Sequence, residues 1–184
     1  MTSAAPERHR FTVEEYHRMG DTGLFGQDDR VELVEGEIID MTPVGSRHAA
    51  CVDRLTRLLV VRIGERAIVR VQNPVQMGDL SEPQPDIAVL APRTDFYAGA
   101  HPGPADVLLV VEVADTSIGW DRGVKVPMYG RAGVAEAWVV DVNAEAVDVW
   151  TQPGPDGYAE TRRVARGGDL TAVGVTVTVD DILG

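Results

Sequence analysis

Cysteine is almost absent from this 184-residue chain, which has Cys51 alone. One thiol excludes an internal disulfide, and with four scattered histidines it offers no zinc-ligand spacing, so any metal should be a hard ion held by oxygen. Also missing is any apolar run near the roughly 20 residues that span a bilayer, and Met1 to Arg8 contain no apolar signal core. Both absences point to a soluble, cytoplasmic protein with no membrane partner. No Gly-x-Gly-x-x-Gly follows a strand, and neither a Gly-x-Ser-x-Gly elbow nor a Walker loop occurs. Dinucleotide-binding, serine-hydrolase and nucleotide-triphosphatase readings therefore lose their anchors. Basic residues are scarce too: 17 Lys and Arg face 29 Asp and Glu, a net charge of -12. That balance argues against a high-affinity, non-specific nucleic-acid binder, which neutralises phosphates with a basic face. A carboxylate site, however, repels phosphate only until a divalent cation occupies it.

What is present suffices for one full core, since 44% of the residues are hydrophobic. A single domain is expected over residues 11–184, behind a loose polar tail at 1–10. The chain is organised around Pro83 to Tyr129. Pro83-Gln84-Pro85-Asp86 leads into Ile87-Ala88-Val89-Leu90, and after a Pro/Gly-rich loop comes Val107-Leu108-Leu109-Val110-Val111-Glu112-Val113. Both apolar runs are too short for a typical helix and read as buried strands, each carrying a carboxylate. Burying an unpaired charge costs several kcal/mol, so Asp86 and Glu112 should face a metal ion, a basic side chain or an open cleft. Lys125 follows as a basic candidate, and a buried ion pair is the plain alternative to a metal site.

The remaining elements read in order. Thr12 and Glu15 form a capping box for a helix ending at Gly20 or Gly23, and Val31 to Met41 reads as two strand arms turning at Glu35-Gly36. Ser46 is expected to cap a helix to about Glu65, with Ala49, Val52, Leu55, Leu59 and Ile63 as its apolar stripe. Arg47, Arg54, Arg57, Arg62 and Arg66 lie off that stripe, either as a phosphate-facing patch or, more commonly, as a solvated face. Short strands are expected at 67–72 and 75–77, and a long surface loop at 91–105 suggests a lid or partner contact. Asp121, Lys125 and Tyr129 would share one helical face, although Gly123 and Pro127 weaken a regular helix there. Strands follow at 135–142, 147–151, 158–163 and 173–179. The architecture is α/β or α+β, a mixed central sheet flanked by helices, with an N-terminal helix and β-hairpin. Trp138, Trp150 and Tyr158 fall on late strands, as core residues or, if exposed, as a dimer face.

In this order, Pro85-Asp86, Glu112 within an apolar strand, and then a lysine resemble the PD-(D/E)XK nuclease superfamily. More narrowly, Gln84-Pro85-Asp86, Glu112-Val113, Asp121 to Lys125 to Tyr129, and Ala132-Gly133-Val134 to Asp141 are similar to the Uma family of restriction-endonuclease-like proteins, over about residues 11–183. The superfamily places its lysine two residues after the Glu, where this chain has Ala114; Lys125 resembles the replacement, reaching the site from the following helix. The resemblance implies a restriction-endonuclease-like fold and a divalent-metal-dependent DNA endonuclease. Asp86 and Glu112 would hold Mg²⁺ or Mn²⁺, and Lys125 would orient or activate water. Gln84 is placed to hydrogen-bond water or substrate, and Asp121 to hold Lys125 or join a second metal position. Glu32, in the family's Glu-Leu-x-x-Gly element, either supports the metal or is a solvated strand-edge carboxylate. His48 either helps place substrate or belongs to the helix cap. DNA is the implied partner and a homo-oligomer is expected. The alternatives are a non-catalytic oligomeric binding or regulatory module that keeps the fold, and a metal-dependent hydrolase of RNA or another phosphoester.

Overall fold

The computed structural model describes residues 8–26 and 28–184. Of the expected tail, residues 1–7 lie outside the described residues, and 8–10 have no regular structure. Helix α1, Val13–Asp21, begins at its capping box, with Thr12 N–H donating to Glu15 Oε2 at 2.9 Å and Glu15 N–H to Thr12 Oγ1 at 3.2 Å. It ends in a Schellman motif, with Gly23 at φ 75 and Leu24 N–H donating to Met19 O. Strands β1 (Val31–Val34) and β2 (Glu37–Asp40) form the expected hairpin, and Glu35 and Gly36 both take the positive φ that a two-residue turn of this hand requires. Helix α2, Ser46–Ile63, buries Val52, Leu55, Leu59 and Ile63 of the predicted stripe. Its cap is Gly45 rather than Ser46: Gly45 is extended and its carbonyl accepts the Ala49 N–H, so Ser46 is already the first helical residue.

Next come β3 (Ile68–Val71), β4 (Ile87–Leu90) and β5 (Val107–Ala114). The chain then makes a helical crossover of three pieces, α3 (Ile118–Trp120), a π turn (Asp121–Lys125) and α4 (Val126–Ala132). Strands β6 (Glu136–Asp141), β7 (Ala146–Gly154) and β8 (Gly157–Ala165) follow, then β9 (Asp169–Ala172), β10 (Val175–Thr178) and α5 (Val179–Leu183). The central sheet runs β3-β4-β5-β6-β7-β8. Every neighbouring pair is antiparallel except β5 and β6, which the helical crossover joins in parallel. The mixed sheet is therefore as read from the sequence.

Side-chain alternation divides the interior into two layers. Ile87 and Val89 of β4 and Leu109, Val111 and Val113 of β5 pack with α2 on one face. Ala88, Leu90 and Val110 pack with Met128 and Tyr129 of α4 on the other. Trp138 is fully buried in the first layer, and Trp150 and Tyr158 pack around Val126 and Val139, so the late aromatics are core and form no exposed stripe. Among the described residues no helix is long and apolar enough to cross a membrane.

Three further expectations need correction. Residues 75–77 are not a strand: Val75 and Met77 donate to Pro83 O and Ser81 O, but prolines at 74, 83 and 85 withhold the N–H groups a ladder needs. The 91–105 loop is no lid over the site described below. It folds onto itself around the buried Tyr97, whose hydroxyl donates to Ala91 O at 2.8 Å with the Arg93 guanidinium 4.4 Å over its ring. The expected last strand at 173–179 is really β10 alone, preceded by β9 and a tight turn at Val173-Gly174 and followed by α5. Helix α4 runs through Gly130 and ends at Gly133, whose φ of 92 makes the left-handed C-cap.

Gly130 serves packing instead. A Cβ there would lie 2.5 Å from the Gly157 carbonyl carbon, backbone against backbone, with no flexible side chain to yield. Gly130→Ala should cost at least about 1–3 kcal/mol, read as a lowered midpoint in a thermal melt. An unchanged midpoint would show that α4 does not pack this closely on β8.

Candidate active site

The β4/β5 register pairs Ile87 with Val111, which sets Asp86, one residue before β4, level with Glu112. By alternation both carboxylates leave the face opposite α2, where the helical crossover lies. There they line a cleft of ≈ 310 Å³ together with Glu32, His48, Gln84, Asp121 and Lys125. All seven residues singled out in the sequence therefore converge.

Glu112 is the buried centre. Its Oε1 accepts a 2.6 Å hydrogen bond from Tyr129 Oη and lies 2.9 Å from Lys125 Nζ. Burial pushes its carboxyl up to about 8; the Lys125 ammonium opposes the rise, while Asp121, Asp86 and Glu32 add to it. Lys125 Nζ also donates to Glu32 Oε2 at 3.2 Å. Burial alone would weaken this ammonium, but Glu112 and Glu32 outweigh it and hold its pKa above the usual lysine range. Lys125 enters the cleft from the crossover, whereas Ala114 packs with Val126 and Val139. The π turn brings Asp121 and Lys125 inward, both buried, and Arg122 pins it to the sheet through Asp141 at 3.0 Å and Asp148 at 2.8 Å.

Glu32 is no solvated edge residue. It is 4% exposed, and its Oε2 accepts the Gln84 N–H at 2.9 Å as well as the lysine. Gln84 Nε2 donates to Val31 O at 3.2 Å, tying the hairpin to the segment before β4. Asp86 Oδ2 accepts the Val113 N–H at 2.8 Å and meets His48 Nε2 at 3.0 Å. That bond to Asp86 raises the His48 pKa against the opposing effect of burial. His48 thus belongs to the site rather than to the helix cap. Asp121 does not hold Lys125; Ser117 Oγ donates to it at 2.5 Å, and burial raises its pKa.

Sequence reasoning gave no role to Tyr129 or Gln72. Tyr129 was visible as a member of the Asp121-Lys125 face, and its hydroxyl is the second donor to Glu112. Gln72 sits where Asn73-Pro74 ends β3, at φ 50, an uncommon conformation for this residue type. Its Nε2 donates to Asp86 Oδ1 at 3.3 Å and its N–H to Asp86 O at 3.1 Å.

The donor set suits a hard cation. Five carboxylates line the cleft (Glu32, Asp86, Glu112, Asp115 and Asp121) against Arg30, Lys125 and the titratable His48. Among the described residues no three His, Cys, Asp or Glu side chains form a ready-made ligand group. A two-carboxylate site completed by water is what Mg²⁺ ordinarily takes. Burial is the main reason the Glu112 carboxyl is raised, and the neighbouring carboxylates Asp121, Asp86 and Glu32 add to it; a divalent cation would favour the ionised form.

The Uma2 family, described as "Putative restriction endonuclease", matches residues 13–179. The chain belongs to the Uma2 family. Its fold is shared with a solved structure titled a putative nuclease belonging to DUF820, from Anabaena variabilis ATCC 29413. The TM-score is 0.73 at 17% identity, covering 94% of this chain and 97% of that one. No curated protein matches the chain. Restriction-endonuclease-like proteins such as the Uma2 family generally use divalent metals, which agrees with the oxygen-rich cleft.

Proposed function

We propose that this Uma2 protein is a divalent-metal-dependent endonuclease that hydrolyses DNA phosphodiester bonds. The observation that carries the reading is the convergence of Asp86, Glu112 and Lys125, from two strands and a helical crossover, on one acidic cleft. Asp86 and Glu112 would hold Mg²⁺ or Mn²⁺. When bound, the ion supplies Lewis acidity toward the phosphate and makes water more acidic.

The chain's own residues divide the remaining work. Lys125, whose pKa is raised, is a poor proton acceptor and acts as a fixed positive charge that orients water or stabilises charge growing on the phosphate oxygens. Tyr129 and Glu32 hold the Glu112–Lys125 pair in place. His48, Gln72 and the Val113 N–H orient Asp86. Gln84 lines the cleft within reach of water or substrate. Cytoplasmic residence and assembly as a homo-oligomer belong to the same proposal, since cutting both strands of a duplex calls for two sites. Sedimentation of the purified protein tests the assembly.

A substrate panel of supercoiled plasmid, single-stranded DNA and RNA, with Mg²⁺ or Mn²⁺, tests the function. DNA cleavage supports it, and cleavage confined to RNA moves the same site to another phosphoester. One observation favours the non-catalytic module: both carboxylates already have partners without an ion. Absence of any cleavage together with absence of metal binding would establish that rival.

Metal binding should also depend on pH. Glu112 keeps its proton up to about 8 in the metal-free protein, and an ion needs the carboxylate. Affinity for Mn²⁺ should therefore climb by up to about tenfold per pH unit below that value and level off above it. Calorimetry in buffers of different ionisation enthalpy should show close to one proton released at pH 7. Glu112→Gln should abolish the dependence, and a flat profile in the wild type would remove Glu112 from the ligand set.

A further inference from the structure

The arginines of α2 are not one patch. Arg62 donates to Asp181 at 3.2 Å, and Arg66 folds back onto Ile63 O at 3.1 Å, so both serve the C-terminal end of the helix. Arg57 is exposed on the helix surface. Arg47 and Arg54 instead line a second cavity of ≈ 310 Å³, where Arg166 joins them from the turn after β8. Glu145 is the one acid in its wall. The cavity adjoins the acidic cleft across the start of α2. Gly45 and His48 line the cleft, Ser46 and Arg47 line the cavity, and Arg47 reaches Asp115 of the cleft at 3.5 Å.

A chain of net charge -12 repels a polyanion on balance. Beside the cleft, three arginines line a cavity whose wall holds one carboxylate, Glu145. Arg166 pairs with it at 3.0 Å and with Asp180 at 3.1 Å, and Arg47 pairs with Asp115 at 3.5 Å, which leaves Arg54 without an acidic partner among the described residues. These guanidinium groups remain accessible, with the Arg47 and Arg166 side chains 58% and 36% exposed. Arg54 donates to Leu183 O at 2.8 Å, makes no salt bridge among the described residues, and has further N–H groups to offer. A guanidinium fork matches two phosphate oxygens. No acidic residue occupies the first turn of α2 to oppose an anion there. Arg47 borders the cleft and Arg54 lies seven residues on, ~10 Å along a helix, which equals the rise of about three nucleotides along a duplex axis at ~3.4 Å each.

We infer that this arginine cavity holds backbone phosphates of the DNA strand whose scissile bond lies in the cleft, within about three nucleotides of the cut. The inference rests on the nuclease reading above, and it explains how an acidic protein receives an anionic substrate. The cleft needs a cation to accept the scissile phosphate, and the neighbouring cavity accepts phosphates without one.

The test is fluorescence anisotropy of a labelled duplex oligonucleotide across a salt series, with Ca²⁺ present. Arg54→Gln and Arg166→Gln should each weaken binding and reduce the slope of log K against log salt by about 0.9. Arg57→Gln should change neither. Arg54 and Arg166 also tether the C-terminal residues. Arg54→Lys and Arg166→Lys therefore separate charge from structure and should keep the wild-type slope. A second reading leaves the protein unaltered: methylphosphonates placed one at a time in the oligonucleotide should weaken wild-type binding only at positions within about three nucleotides of the cut on one side. If wild type binds and cuts DNA but neither the glutamine variants nor any single neutralised phosphate alters affinity, the inference fails and the nuclease reading stands. If wild type neither binds nor cuts, both fail.

Discussion

Glu112→Gln should reduce metal-dependent DNA cleavage by about a thousandfold or more while leaving the protein folded. An ion held by two carboxylates loses one of its two anionic ligands, and removing one such electrostatic partner of a transition state typically costs 10²–10³ in rate even when no metal is lost with it. The folded state tolerates the change because it already favours a neutral group there. With a carboxyl raised from its ordinary value to about 8, Glu112 contributes stability below its unfolded pKa, and that contribution is lost as pH rises through about 8. Gln is a near-isostere of the protonated form and still accepts the Tyr129 hydroxyl. The variant should therefore melt no lower than wild type at pH 9, in metal-free buffer, while failing to nick plasmid at any pH. Asp86→Asn should lose activity likewise. A Glu112→Gln protein with more than a tenth of wild-type activity would place the reacting phosphate elsewhere.

Lys125→Met should have the largest effect on stability. Among the described residues its ammonium is the only basic group paired with the buried oxygens of Glu32 and Glu112, at 3.2 and 2.9 Å. Removing one partner from a buried ionic cluster typically costs about 3–5 kcal/mol, because the remaining charges are left without compensation. At roughly 2–4 °C per kcal/mol for a chain of this size, the metal-free midpoint should fall by about 6–20 °C. The loss should grow as pH rises past about 8, where wild-type Glu112 ionises beside the ammonium while the variant's Glu112, without it, is held protonated to higher pH. Adding Glu112→Gln should recover part of it, a non-additivity that independent sites would not give. A midpoint within a degree or two of wild type would mean that Lys125 does not sit between the two carboxylates.

The parts of this fold that were legible in the sequence were those in which local chemistry and tertiary structure agree. The Thr12–Glu15 capping box, the Glu35-Gly36 turn, and the apolar runs carrying Asp86 and Glu112 all formed as read. Glu32 was legible only through its place in the Glu-Leu-x-x-Gly element, because a glutamate in Val-Glu-Leu-Val alternates like a solvated residue until a lysine 93 positions away is brought against it. Lys125 was placed on the right face despite Gly123 and Pro127; their weakening of the helix appears as a π turn, with Pro127 in the first turn of α4 where its missing N–H is harmless. The turn between β9 and β10 was hidden by Val173, a β-branched residue at φ 52 that reads as strand. The last helix did carry a signal, since Thr178 and Asp181 form a capping box like that of α1. The second arginine cavity needed the fold, because Arg166 joins Arg47 and Arg54 only after the sheet has closed.

Cleavage of supercoiled plasmid by the purified protein, with Mg²⁺, Mn²⁺ or EDTA and beside Asp86→Ala, tests the central claim most directly. The account predicts nicked and linear DNA with either metal, and intact plasmid with EDTA or with Asp86→Ala. Cleavage that persists undiminished in EDTA, or that Asp86→Ala carries out as well as wild type, would contradict it.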